Sequence, residues 1–481
     1  VKGGVHVNPY PSDPVPDTEP FEGLKVDILY CIRKMSLTRQ GFSILVQNSS
    51  DIKKELTVRP IENALGIQSP SFKVFRVGKD GSLLVPRYYG CERFGTPTTD
   101  SRRTPAVAHG INFGGNLREA TRQPEALNAG VQAFREKGGG VLSLPCGYGK
   151  TTVALALSAQ LKVRTMIVVH KEFLANQWVD KIKEFCPGAT IGRVQGDTFD
   201  IEKDFVIALI QTMCMREFEP KVFDSVGLLI VDEAHHIGAP AFSQFMFKIC
   251  PRFTLGLTAT PERKDGLTRL LYWFLGPEFF RVERVNQGTT KVRTLKYACD
   301  AFKEAPPVTR FGKINMAGMT TLLTELENRN VLIVNTVHEV LKDNRRVLVL
   351  SDRREHCFDL LNKIGSKAGL YIGGMKESEL NESAKKQVVI ATFQLAHEGL
   401  DIPVLDTVIL ATPRSDIKQS IGRIMRETKG KLNDPLIFDI ADQWSVFFSM
   451  YNKRLKVYRE GGFEIVGEEK PVVKPGKCLF L

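Results

Sequence analysis

The sequence predicts an α/β fold, with two tandem parallel-sheet domains preceded by a small α/β N-terminal domain. Three observations predict it. First, the apolar runs VLSLP, MIVVH, FVIALI, LLIVDE, FTLGLTAT, VLVLSD, VVIAT, TVILAT and LIFDI alternate with helical patterns from residue 141 onward. Continuous runs of this length are strands buried on both faces, the signature of parallel sheets. Second, 481 residues exceed what one hydrophobic core holds. Third, the stretch before residue 110 has a different grammar: short strand-like pieces, turn signals and a Thr-, Pro- and Arg-rich connector.

In chain order, residues 1–20 are polar and proline-rich and read as a disordered leader. A first unit is expected from Phe21 to about residue 95, with strands in KELTVRP, SFKVFRV and SLLVPRYYG and a KDG turn between the last two. FGTPTTDSRRTPAVAHG reads as a linker. The expected divisions are 1–107 (an accessory, nucleic-acid-binding domain), 108–285 and 286–481, with a break near VNQGTTK, 285–291.

The net charge of +12 and pI near 9.2 favour a polyanionic partner, nucleic acid ahead of an anionic membrane surface; a merely soluble basic protein is the bland alternative. No apolar run approaches the ~20 residues that span a bilayer, and the N-terminal stretch lacks the apolar centre of a signal peptide. The nine cysteines form no C-x-x-C pair. That argues against structural zinc or a disulfide scaffold and points to a reducing, intracellular compartment.

LPCGYGKTT (144–152) joins a strand to a helix. Backbone N–H groups at a helix N-terminus suit a triphosphate, so Pro145, Cys146, Gly147, Tyr148, Gly149, Lys150, Thr151 and Thr152 form a candidate ATP cradle. Lys150 can reach the β and γ phosphates and Thr151 can hold Mg²⁺. The strict phosphate-loop pattern fails, because Leu144 occupies its first glycine position, but Gly147 to Thr151 fit the shorter G-x-G-K-T form. LLIVDEAHH then places Asp232 and Glu233 at a strand end. Asp232 would bind Mg²⁺ through water and Glu233 would activate the attacking water. Alone, such an acidic pair could also just start a helix.

The ordered set of phosphate loop, Asp232-Glu233-Ala234-His235, Thr258-Ala259-Thr260 and Gln419-Ser420-Ile421-Gly422-Arg423-Ile424-Met425-Arg426 resembles the superfamily 2 helicases. HKEFLANQW, TATPERKDGL, ATFQLAHEGLDIP and ATPRSDIKQSIGRIMR are similar to the branch that holds a repair and transcription-factor helicase, phage recombination helicases and helicases of large DNA viruses, with the group of the poxvirus transcript-release helicase the nearest. The resemblance implies two RecA-like domains that close on one ATP–Mg²⁺. It implies Arg423 and Arg426 as fingers on a helix from Asp416 to Glu427, with Gln419 on the same face. Relatives carry Arg-Glu-Asp after the third motif, whereas this chain has Arg263, Lys264 and Asp265, which puts a role of that Glu in doubt. For the adenine-reading glutamine the sequence offers Gln123, or Gln132.

His235, Thr258 and Thr260 are expected to couple the motifs. Gly399 and Asp401 follow VVIATFQLA and either touch nucleotide or, for Asp401, cap a short helix. Lys171, Gln177 and Thr212, with Arg353, Arg354 and Thr392, are candidates for backbone phosphate contacts; about half of the Lys and Arg are expected to be ordinary solvated charges. The expected partner is nucleic acid, DNA ahead of RNA, with transcription or repair machinery, no membrane and a monomeric motor. Two rivals stand beside the helicase: a duplex translocase that remodels branched DNA or releases transcripts, and a nucleic-acid-binding scaffold with a vestigial ATPase.

Overall fold

The computed structural model describes residues 32–61, 69–145, 147–219, 221–234, 239–259, 263, 265–282, 290–310, 312–398, 400, 402–425, 431 and 433–469. The proline-rich leader, the expected start at Phe21 and most of the 285–291 break lie outside the described residues.

Seven strands come first: β1 (Ile32–Thr38), β2 (Gly41–Val46), β3 (Thr57–Val58), β4 (Phe72–Lys73), β5 (Arg76–Val77), β6 (Leu83–Val85) and β7 (Thr99–Asp100). They form one sheet in the order β5-β6-β2-β1-β7, with β3 and β4 paired separately. The second sheet contains β8 (Gly139–Ser143), β9 (Thr165–Val169), β10 (Ile191–Gln195), β11 (Thr198–Phe199), β12 (Phe205–Leu209), β13 (Leu228–Asp232), β14 (Phe253–Thr258) and β15 (Glu278–Arg281). Its order is β11-β10-β12-β9-β13-β14-β8-β15, parallel except at β11. The third contains β16 (Lys291–Tyr297), β17 (Val347–Ser351), β18 (Ala368–Tyr371), β19 (Val388–Thr392), β20 (Thr407–Leu410), β21 (Leu436–Asp442) and β22 (Glu464–Glu469). It runs β18-β19-β17-β20-β21-β16-β22, all parallel. Each of the apolar runs read from the sequence supplies one of these parallel strands.

The N-terminal segment differs from the sequence expectation in two of its strands. The KDG turn does join an antiparallel pair, β5 and β6. In KELTVRP, however, the first residues close the helix Ser50–Glu55 and only Thr57–Val58 is strand. The Asn48 side chain accepts from Ser50 N, and Asp51 and Lys53–Lys54 complement the two ends of the helix dipole. In SLLVPRYYG the strand stops at Val85. Pro86 has no N–H for the ladder, and Arg87–Phe94 is a helix burying Tyr88, Tyr89 and Phe94. The expected linker is not loose either. Thr99–Asp100 pairs in parallel with β1, and Ala106 N and Ala108 N donate to Ser225 O and Lys162 O.

This first sheet is fused to the second. Tyr89 meets Trp273 edge-to-face at 5.1 Å, and Tyr88 Oη shares a hydrogen bond with Thr254 Oγ1 at 2.6 Å. Buried Arg87 donates to the carbonyls of Pro251, Arg252 and Lys137. One hydrophobic cluster runs from Phe42 and Val85 through Leu270 and Phe274 to Val231.

The third sheet carries two charge pairs in its core. Arg329 is bidentate to Asp442 at 2.7 and 2.9 Å and donates to Ala411 O. Arg454 grips Asp439 and donates to Arg414 O, and Tyr458 also donates to Asp439. All four charged side chains are buried. Because the two carbonyls belong to the segment between β20 and the helix Lys418–Ile424, the pairs fix where that helix starts. Breaking one leaves an uncompensated charge, so Arg454→Met should cost about 3–5 kcal/mol. Denaturant unfolding that shows a loss under about 1 kcal/mol would contradict a structural role for the pair.

Candidate active site

Parallel strands deliver their next residues to a common edge. β14 lies between β8 and β13, with Thr258 opposite Ser143 and Leu257 opposite Asp232. Leu144 N donates to Thr258 O, so the chain leaves β8 still tied to β14. The phosphate-loop segment, the Asp232–Glu233 pair and Thr258 therefore meet by register alone.

The helix Lys150–Leu161 starts where the sequence placed it. Gly147 and Gly149 have φ of +85° and +83°, which glycine adopts without strain. A Cβ on Gly149 would also sit 2.3 Å from Gln123 Nε2. Lys150 Nζ lies 3.4 Å from Glu233 Oε1 and 3.3 Å from Leu144 O. Thr151 and Thr152 stand half-buried in the first helical turn, and Pro145 and Tyr148 are half-buried in the loop before it. Backbone amides at a helix start, a lysine and a buried carboxylate are the donor set that a triphosphate with a divalent cation requires. The residues present therefore fit ATP–Mg²⁺. Among the described residues no group of three or more His, Cys, Asp and Glu could hold a metal.

Of the two glutamines, Gln123 is the one at this loop. It is buried, donates to Tyr148 O at 2.8 Å and accepts from Arg118 N at 2.9 Å. Gln132 is exposed and bonds Glu136. Arg118, which the sequence reading missed, donates to Gly147 O at 3.0 Å.

Asp232 is buried, and burial together with neighbouring Glu233 raises its pKa to about 6. The indole of Trp178, on the helix Glu172–Phe185, opposes this by donating to Asp232 Oδ2 at 2.9 Å. Trp178 was also missed, because 54 residues separate the partners. Glu233 holds a left-handed φ of +47°.

Cys146, His235, Thr260, Gly399, Asp401 and Arg426 lie outside the described residues, as do the side chains of Gln419 and Arg423. Those last two share the helix Lys418–Ile424, which starts two residues after the expected Asp416; the far end of the expected span, at Glu427, lies outside the described residues. Lys171, Gln177, Thr212, Arg353, Arg354 and Thr392 lie at the carboxyl ends of parallel strands or in the helices that follow. Thr212 Oγ1 accepts from Gly196 N. Arg353 donates to Ala317 O and Arg354 to Gly373 O, so each guanidinium also braces its own domain.

The Trp178 bond has a testable sign. An N–H to a carboxylate favours the ionised form, so losing it raises the carboxylate's pKa. Trp178→Phe keeps a ring and removes the donor. In Mg²⁺-dependent ATP turnover, the acid limb of kcat against pH should move to higher pH by about half to one unit. An unmoved limb would mean that the indole does not tune Asp232.

Comparison with known proteins accords with this geometry. Residues 116–263 match the family described as type III restriction enzyme, res subunit, and residues 332–428 match the helicase conserved C-terminal domain. The chain is 31% identical over 444 residues to "Putative ATP-dependent RNA helicase L396" of Acanthamoeba polyphaga mimivirus, covering 88% of this chain and 85% of that protein. It is 29% identical over 385 residues to "Putative helicase 161L" of Invertebrate iridescent virus 6, covering 74% and 84%. The fold is similar to a fragment of an HsdR subunit of a type I restriction enzyme from Vibrio vulnificus, with TM-score 0.52, 18% identity, and coverage of 75% and 70%. With identity above 30% across most of both chains, the protein belongs to the superfamily 2 helicases, related to those of large DNA viruses, and is an ATP-dependent, nucleic-acid-directed enzyme built on two RecA-like domains.

Proposed function

We propose that the chain is a DNA-stimulated ATPase that steps along its substrate as a single-chain motor, with 1–107 as an accessory domain tuning substrate choice. The observation that carries the ATPase half is the 3.4 Å approach of Lys150 to Glu233 at the strand edge where Asp232 emerges. Lys150 holds the terminal phosphates, and Glu233 orients and deprotonates the attacking water. A magnesium ion arriving with the nucleotide would be held by Thr151 and, through water, by Asp232, and would neutralise phosphate charge. Gln123 stands beside the loop for the base. Thr258, His235 and Thr260 pass phosphate state to the domain cleft, and Arg423 and Arg426 enter from the second domain as charge develops. Lys171, Gln177, Thr212 and Thr392 track backbone phosphates.

The restriction-enzyme description matched by residues 116–263 supports DNA, while the printed name of the mimivirus relative favours RNA. The net charge of +12 suits either polyanion. The test is ATPase activity titrated with single-stranded, duplex and forked DNA and with RNA. DNA should stimulate most, with an affinity that falls steeply as salt rises from about 50 to 200 mM. Greater stimulation by RNA, or no salt dependence, would refute this reading. Strand-separation and triplex-displacement assays then distinguish unwinding from duplex translocation.

Two variants separate the roles at the ATP site. Lys150→Ala should weaken nucleotide binding. Glu233→Gln should still bind ATP but not turn it over, since it keeps the shape and loses the base. Equal loss of affinity in both would contradict the assignments.

A further inference from the structure

Glu233 is one of five non-glycine residues at positive φ among the described residues, a conformation that persists only where its surroundings impose it. The restraint is visible one residue on. Ala234 O accepts from Arg263 Nη1 at 3.2 Å. Arg263 is itself buried, and its Nε and Nη2 are locked on Asp265 at 3.0 and 2.6 Å. Arg263 N donates to Thr268 Oγ1, and Asp265 Oδ1 accepts from Leu267 N. The guanidinium thus lies between the backbone beside Glu233 and the hydrogen-bonded residues Asp265, Leu267 and Thr268 that come after β14.

That segment is also where the N-terminal module arrives. Ile61 N donates to Asp265 O at 2.9 Å. The Ile61 side chain lies over Gly266, where an added Cβ would come within 2.3 Å of its Cδ1. A second contact reaches the helix that follows the Asp232–Glu233 segment in the chain. Arg76 donates to Gln244 O in the helix Ala239–Met246 and stacks over Phe247 at 5.3 Å. The module therefore touches the chain both after Glu233 and after Thr258.

We infer that Arg263 and Asp265 are positioning residues for ATP hydrolysis, and that the N-terminal module sets them through Ile61. Asp265 orients the guanidinium, the guanidinium holds the Ala234 carbonyl, and that carbonyl fixes the backbone from which the Glu233 carboxylate reaches Lys150. A shift of Ile61 would move that segment, release the carbonyl and displace the carboxylate without touching the phosphate loop. This inference rests on the water-activating role proposed for Glu233.

The experiment is a double-mutant cycle in the full chain, read as basal kcat, ATP affinity from a fluorescent nucleotide, and melting temperature. Arg263→Gln should lower kcat at least about tenfold with ATP affinity within about twofold of wild type. Ile61→Pro removes the backbone N–H that donates to the Asp265 carbonyl and should lower kcat several-fold, again with little change in affinity. Combined, they should match Arg263→Gln alone, because both act through one link. Should Arg263→Gln fail to fold, Asp265→Asn takes its place. Effects that simply multiply, an Ile61→Pro variant with wild-type kcat, or parallel losses of affinity and melting temperature would each overturn the relay. Glu233→Gln runs alongside: wild-type turnover there would sink the inference through its premise, whereas an inactive Glu233→Gln beside a normal Arg263→Gln would sink the relay itself.

Discussion

The site depends on one constraint, the register that places β14 between β8 and β13. Parallel strands end together, so whatever follows each one is presented at a single edge. Here that edge receives the glycine loop, the acidic pair and Thr258 from three separate stretches of chain. No side chain is needed to bring them together; side chains refine what the ladder has already aligned. Gln123 and Arg118 fasten the loop from one side, and Trp178 steadies Asp232 from another. The buried charges at this edge tolerate their surroundings because each has a directed partner.

Much of this was legible in the residues. The strands with continuous apolar runs were, because burial on both faces leaves an unambiguous pattern. The start of the helix at Lys150 was, because glycine spacing and a following apolar run define a strand-to-helix turn. The N-terminal module was less legible. Its helix Arg87–Phe94 carries aromatic residues common in strands, and its direction is decided by Pro86 and by packing on Trp273, far along the chain. The bonds from Trp178 to Asp232 and from Arg263 to Ala234 were beyond sequence reading altogether. They join segments whose proximity exists only once the sheet has formed, and no local pattern marks either side chain. The left-handed backbone at Glu233 is similarly silent, since nothing about a glutamate announces it.

In the first domain Arg263 and Asp265 pair beside the Ala234 carbonyl, which the same guanidinium holds. In the second domain the logic is the same with larger stakes. Arg329 and Arg454 carry their charges into the core and spend the remaining donors on carbonyls ahead of the helix Lys418–Ile424. In both domains, arginine sets the path of a loop by holding its carbonyls, a task suited to a planar group with several fixed donors.

The shared hydrophobic cluster of the first two sheets has a consequence for how the chain comes apart. Tyr88, Tyr89 and Phe94 lean on the same aromatic and aliphatic surface that backs β14, so neither sheet has a finished face without the other. Heat or denaturant should therefore meet them as one cooperative unit rather than as a cap and a body melting in turn. A chain cut at the expected boundary would present Leu270, Trp273 and Phe274 to water and to other copies of itself. The module is in this sense a wall of the first RecA-like domain, part of the same packed interior that backs β14.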